Sequence, residues 1–268
     1  MDLLRRACEA VRGLRALGGE CVERPLVTVV RDASKPDVWD ANHALAVSAS
    51  TGAEIEEVFT TCDAVLPRTA RHRQFHCDPL TPEPFLAHLE LAGFAQRVSI
   101  QMVLTGGLRA DSPALEIRLA ESEQDWRSHA RLVRLEALDA AEREGRPAHA
   151  ASVSQGLAAL RRAAAPEVRT WIARRGGEDC GTFASWPGRG GVGVVEWLLT
   201  HPGHRRRGVA TALIAHAVAD ARARGAGAVV IGPDGGPYDV PRRLYAALGF
   251  EPLCVTRCYT RTLDVPLA

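Results

Sequence analysis

The clearest chemical signature in the chain lies in the run Val194-Val195-Glu196-Trp197-Leu198-Leu199-Thr200-His201-Pro202-Gly203-His204-Arg205-Arg206-Arg207-Gly208-Val209-Ala210-Thr211. Arg205, Gly208 and Ala210 satisfy the pattern Q/R-x-x-G-x-G/A. Small residues at a helix start let backbone N–H groups close on phosphate oxygens, and the helix dipole favours the negative charge. Arg205, Arg206 and Arg207 add counter-charge. Glu196 is the only acid in the apolar run from Val192 to Leu199, and such a carboxylate is expected to hold its proton more tightly than usual. That property suits a general base. His201 and His204 are reserve bases, or simply polar turn residues.

These side chains need a strand, a turn and a helix to hold them. Val192 to Leu199 reads as a strand. From Val209 the apolar residues Val209, Leu213, Ala217, Val218 and Ala221 recur at helical spacing until Gly225 stops them. Ala228 to Ile231 then reads as a short buried strand, Arg243 to Leu248 as a helix end broken at Gly249-Phe250, and Cys254 to Thr262 as a last strand. Upstream, Leu115 to Leu119 is expected as a strand, Asp125 to Arg143 and Ser152 to Ala164 as helices, and Val168 to Arg174 and Thr182 to Trp186 as strands. Thr105 through Pro113 is polar and turn-rich, and it separates this part from an earlier one. There, a helix closed by Gly18-Gly19 precedes strands at Leu26 to Arg31, Arg73 to Cys77 and Val98 to Leu104, with helices at Glu54 to Cys62 and Pro82 to Ala92.

Composition narrows the function. With 268 residues and a formal charge of +1, the chain is long enough for two domains and carries no global field toward nucleic acid or membrane. The Arg205–Arg207 run lacks the aromatic interleaving of a nucleic-acid surface. Lys35 is the only lysine and no Gly-Lys-Ser/Thr occurs, which excludes a Walker loop; only Gly208 occupies the turn, which argues against a dinucleotide fingerprint. Seven cysteines without a C-x-x-C pair or a secretion signal point to reduced thiols in the cytoplasm. His72-x-x-x-His76-Cys77 has no further ligand cluster, so no metal is expected, and no segment approaches the roughly 20 apolar residues of a membrane span. Cys180 and Cys254 are expected as small core residues.

Arg205-x-x-Gly208-x-Ala210 together with Leu244-Tyr245-x-x-Leu248-Gly249-Phe250, in this element order, resembles the acetyl-CoA-binding core of the GNAT N-acetyltransferase superfamily, over 192–262 and more loosely from 115. The resemblance implies an α/β (α+β) GNAT fold with a mixed, splayed sheet flanked by helices. It also implies that Leu198, Leu199 and Thr200 present free backbone groups to the pantetheine arm, that residues 205–211 hold the pyrophosphate, and that Tyr245 protonates the departing thiolate. The asparagine that many members carry seven residues before that tyrosine is replaced by Tyr238, beside Asp239; Asp234 and Asp239 are candidates for binding a cationic substrate. The helix and Gly93-Phe94 before Val98 echo Leu244 to Phe250, with Leu86 or a neighbour at the tyrosine position. Residues 1–110 are therefore expected to be a degenerate, non-catalytic GNAT-like half and 111–268 the catalytic domain, in a plan similar to tandem members such as mycothiol synthase. The expected function is transfer of acetyl from acetyl-CoA, without a metal, to a primary amine of a small molecule by direct attack in a ternary complex. The protein is expected as a monomer or homodimer. The alternative is a non-catalytic acyl-CoA-binding regulatory module.

Overall fold

A computed structural model describes residues 2–109, 115–233 and 240–263. Packing divides the chain into two units: Met1–Met102 with Gly232–Arg243 and Pro252–Ala268, and Val103–Ile231 with Leu244–Glu251. The division differs from a single cut after residue 110, because the end of the chain packs with its beginning.

The first unit runs α1 (Leu3–Ala16), β1 (Glu20–Glu23), β2 (Thr28–Arg31), β3 (His43–Leu45), α2 (Gly52–Val65), β4 (His72–Cys77), α3 (Glu83–Leu91) and β5 (Ala95–Leu104). β1 and β3 were not anticipated, being too short to show a period of their own. The second unit contributes β6 (Glu116–Leu119), α4 (Glu123–Arg143), α5 (Ala151–Ala163), β7 (Arg169–Arg175), β8 (Glu178–Arg189), β9 (Val192–Thr200), α6 (Val209–Ala223) and β10 (Ala228–Ile231). α7 (Val240–Ala247) and β11 (Glu251–Thr262) close the chain.

In the first unit the strand order is β1-β2-β3-β4-β11-β5. β11 lies antiparallel to β4, with Tyr259 opposite Phe75 and Thr262 opposite His72. Tyr259 is fully buried in a core with Phe75, Phe85, Leu89 and Phe94. Its hydroxyl donates to Glu90 at 2.8 Å and accepts from Gln96 at 2.7 Å. Cys254, expected in the core, is only half-buried. It sits on β11, hydrogen-bonded to the Cys8 thiol of α1.

In the second unit the order is β10-β9-β8-β7-β6, antiparallel except for the parallel pair β10–β9. Ser122 and Asp125 form a reciprocal cap at the start of α4. Asp220 of α6 accepts from Ser185 of β8 at 2.5 Å and from Arg169 of β7 at 2.6 Å, and Ser185 in turn accepts from the Trp171 indole at 2.9 Å. Gly181 lets α6 approach β8 closely: a Cβ there would meet the Leu199 carbonyl, Leu213 and Val209, each at 2.9 Å.

The two units repeat one local plan. In each, a residue in the left-handed region, Ala46 at φ 55° just after β3 and Trp197 at φ 63° within β9, precedes a helix and a parallel strand. α3 and α7 both end in a Schellman turn: Phe94 N–H donates to the Leu89 carbonyl at 3.1 Å, and Phe250 N–H to the Tyr245 carbonyl at 3.0 Å. Superposing those turns puts Leu89, not Leu86, where the second unit has Tyr245.

Candidate acyl-CoA site

β9 is the element on which the site is built. Its pairing with β10 runs from Val192 to Val194 only, opposite Ala228 to Val230. Beyond that point the edge of β9 that faced β10 lies outside the parallel ladder, while its other edge stays paired to β8 as far as Thr200 opposite Gly181. The two strands thus splay, and Leu198, Leu199 and Thr200 lie beyond the end of the parallel ladder. The register explains the splay. Glu196 stands opposite Ala184 and Leu199 opposite Thr182, so two residues of β9 face one of β8. This is a β-bulge, which bends a strand and increases its twist. Trp197 carries the strain, because a φ of 63° is costly for a bulky side chain.

The turn after β9 has the geometry of an anion cradle. His201 N–H donates to the Cys180 carbonyl at 2.9 Å, anchoring the turn to β8, and the His201 Nδ1 accepts from Gly203 N–H at 3.1 Å. His204 Nε2 lies 3.1 Å from Glu178. Both histidines therefore shape the turn. Arg206 at φ 60° and Gly208 at φ 79° then reverse the backbone into α6. Gly208 caps α6 with no side-chain hydrogen bond, so the N–H groups of Val209, Ala210 and Thr211 have no acceptor in the helix or from a cap. Arg206 and Arg207 are exposed.

Arg205 is placed differently from its neighbours. Its guanidinium pairs with Asp139 of α4 at 3.0 and 2.6 Å and with Glu136 at 3.2 Å. Arg143 also pairs with Asp139 and, at 3.1 Å, with Glu136. The side chain thus staples the turn to α4. The carboxylates on α4 gave no sign of this partnership in the sequence, since their spacing matches any solvated helix face.

Glu196 is half-buried at the bulge. Tyr245 is buried on α7, its ring centroid 6.1 Å from that of Phe250. Tyr238, Asp234 and Asp239 lie outside the described residues. Two further side chains on the α4–α5 face were not anticipated. Arg161 of α5 lays its guanidinium 4.8 Å over the Trp197 ring. His129 of α4 meets the Thr182 hydroxyl through Nδ1 at 3.1 Å. Burial, followed by the charge of Arg161, pushes this imidazole down to about 3.

Among known families, residues 131–250 match the acetyltransferase (GNAT) family. The chain carries a GNAT-family acetyltransferase domain. Its chemistry is acyl transfer from an acyl-CoA co-substrate. No curated protein sequence matches the chain. Among solved structures, a GCN5-related N-acetyltransferase from Kribbella flavida is similar at 18% identity and TM-score 0.67, covering 97% of this chain and 96% of that one. An acetyltransferase of the GNAT family from Novosphingobium aromaticivorans is similar at 18% identity and TM-score 0.58, covering 97% and 98%. A tandem GNAT protein from the clavulanic acid biosynthesis pathway is similar at 15% identity and TM-score 0.53, covering 82% and 75%. At these identities the likeness establishes the GNAT fold. Among the described residues no helix is long and apolar enough to cross a membrane, no group of side chains is arranged to hold a metal, and no disulfide joins any of the seven cysteines.

Proposed function

We propose that the GNAT domain transfers acetyl from acetyl-CoA to the primary amine of a small molecule by direct attack in a ternary complex. The observation that carries this reading is the bulge at Trp197, which opens the edge of β9 beside a carboxylate and leads straight into the uncapped N-terminus of α6. Leu198, Leu199 and Thr200 bind the pantetheine amides through backbone groups. The N–H groups at 209–211 bind the pyrophosphate, with Arg206 and Arg207 as counter-charge. Glu196 takes a proton from the ammonium, directly or through water, and the neutral amine attacks the thioester carbonyl. The C–S bond breaks and Tyr245 returns a proton to the sulfur.

The first unit serves as a non-catalytic half. Its α2 begins with Thr51 and Glu54 capping one another. The Glu54 carboxylate accepts from the N–H groups of Ser50 and Thr51 at 2.8 and 2.9 Å and is held down to about 2 by them. The start of α2 is thus closed by its own capping box, whereas α6 begins without a side-chain cap. Cysteines without disulfides suit a reducing, cytoplasmic setting.

Thiol release from acetyl-CoA with a panel of amines, read beside the thermal shift on adding CoA, tests the reading. Turnover on at least one amine together with a CoA-induced shift is expected. A shift without turnover on any amine would instead identify an acyl-CoA-binding module.

A further inference from the structure

The register of β8 and β9 shows which side chains share a face. Thr182 and Ala184 alternate along β8 and point to one side, and their opposed partners Leu199 and Glu196 point with them. His129 of α4 reaches Thr182 on this side. Glu196 therefore faces the side covered by α4. The bulge suspends alternation at Trp197, whose ring meets Arg161 of α5. One face thus gathers a carboxylate, a guanidinium only 8% exposed and an imidazole only 1% exposed.

Helix packing does not demand this set. The other buried residues of α5 are Ser154, Ala158 and Leu160, and an apolar side chain at 161 would spare the desolvation of a charge. The ring of His129 is neutral, and its Nε2 is buried without a hydrogen bond among the described residues. With the Thr182 hydroxyl donating to Nδ1, Nε2 carries the proton and is a donor. The Arg161 guanidinium and this Nε2–H are donors on the side that Glu196 faces, and an acceptor that carries an anion beside its amine is matched to both kinds of group.

Resting on the N-acetyltransferase reading above, we propose that the acceptor is an amine that also bears a carboxylate, as an amino acid does, with its amine directed to Glu196 and its carboxylate to Arg161 and the Nε2–H of His129. Arg161 is then a specificity-determining residue.

The test compares matched acceptors on the full chain with acetyl-CoA: lysine against cadaverine, and phenylalanine against phenethylamine. Charge-assisted contacts of this kind predict about tenfold or more in kcat/KM for the acid of at least one pair, carried mainly by KM. In Arg161→Met that ratio should fall toward one, and Arg161→Lys should restore part of it, which a merely structural role would not do. A second measurement, calorimetry on the CoA-loaded protein, compares N-acetyl-lysine and N-acetyl-phenylalanine with the corresponding N-acetyl amines; binding of an acid alone is expected. Decarboxylated amines used as well as their acids, or a ratio that survives in folded Arg161→Met, would overturn the proposal. With no turnover on any amine, calorimetry still decides. Binding of an acid keeps the carboxylate site while the acetyltransferase reading falls, and binding of neither compound in a pair overturns the carboxylate site. Should the variants not fold, the matched pairs on the unaltered chain carry the test.

Discussion

At the scale of single residues, the proposed mechanism puts Glu196 and Tyr245 on opposite sides of the transfer, and their variants should then separate by pH. Glu196→Gln is expected to lower turnover by about 10²–10⁴ with little change in CoA affinity. Tyr245→Phe keeps the buried ring that packs near Phe250 but removes the proton for the thiolate. Because an ordinary thiol has a pKa near 8.5, the thiolate leaves more readily at high pH, so the Tyr245→Phe defect should shrink between about pH 7 and 9.5. Steady-state rates across that range check both; a constant Tyr245→Phe defect, or full activity in Glu196→Gln, makes the residue structural. The arginines of the turn divide by what they touch. Arg207→Ala should weaken CoA binding by about 1–3 kcal/mol in calorimetry, and Gly208→Val should also weaken it by forcing a side chain into a left-handed turn. Arg205→Ala should instead show a coupling of about 1 kcal/mol or less with Asp139→Asn in a double-mutant cycle of stability, since the pair is partly exposed.

At the scale of elements, the position of β11 has a direct consequence. It lies between β4 and β5, so ending the chain after Phe250 removes an interior strand and the buried Tyr259 from the first unit. The expected outcome is loss of amide protection over His72–Cys77 and Ala95–Leu104 in hydrogen exchange; a truncated chain with native protection there would contradict the pairing. In the second unit, α6 is held against β8 at the glycine contact. Gly181→Val should destabilise by about 1–3 kcal/mol, because one of the atoms it meets is the rigid Leu199 carbonyl.

For the whole molecule, buried histidines set the response to acid. Burial pushes His43 down to about 4, His129 to about 3 and His76 well below 6.5. In the unfolded chain they titrate near 6.5. Between these values the unfolded state binds more protons, so stability is full above about pH 6.5 and is lost as pH falls toward 4. Tm should therefore drop between pH 7.5 and 5, and His43→Leu should flatten that slope. The molecule should also take up one CoA per chain in a titration, because α2 of the first unit starts with the Thr51–Glu54 capping box and α6 of the second starts without a side-chain cap. Two equivalents would refute the assignment of a single cradle.

Much of the second unit was legible in the sequence, because its signals are local. The period of Val209 to Ala221, the breaks at Gly225 and Gly249, and the small residues after Arg205 each act within one turn of chain, and α6, β10 and α7 lie where they point. The strand and turn residues Leu198 to Thr211 were readable for the same reason. What depends on partners distant in sequence was not readable. Nothing in Arg205 foretells Asp139, 66 residues away, and nothing in Arg161 foretells Trp197. The bulge that joins Glu196 and Trp197 on one face comes from a mismatch of register between β8 and β9, which neither strand encodes alone. Nor does Cys254 to Thr262 say which sheet it will join. A β-strand specifies alternation, but its neighbour is chosen by whichever edge and core it completes, and here Tyr259 completes the core around Phe75. Local periodicity therefore determined the elements and the turn into α6, while long-range pairing decided the units and which side chains of β9, α4 and α5 share a face.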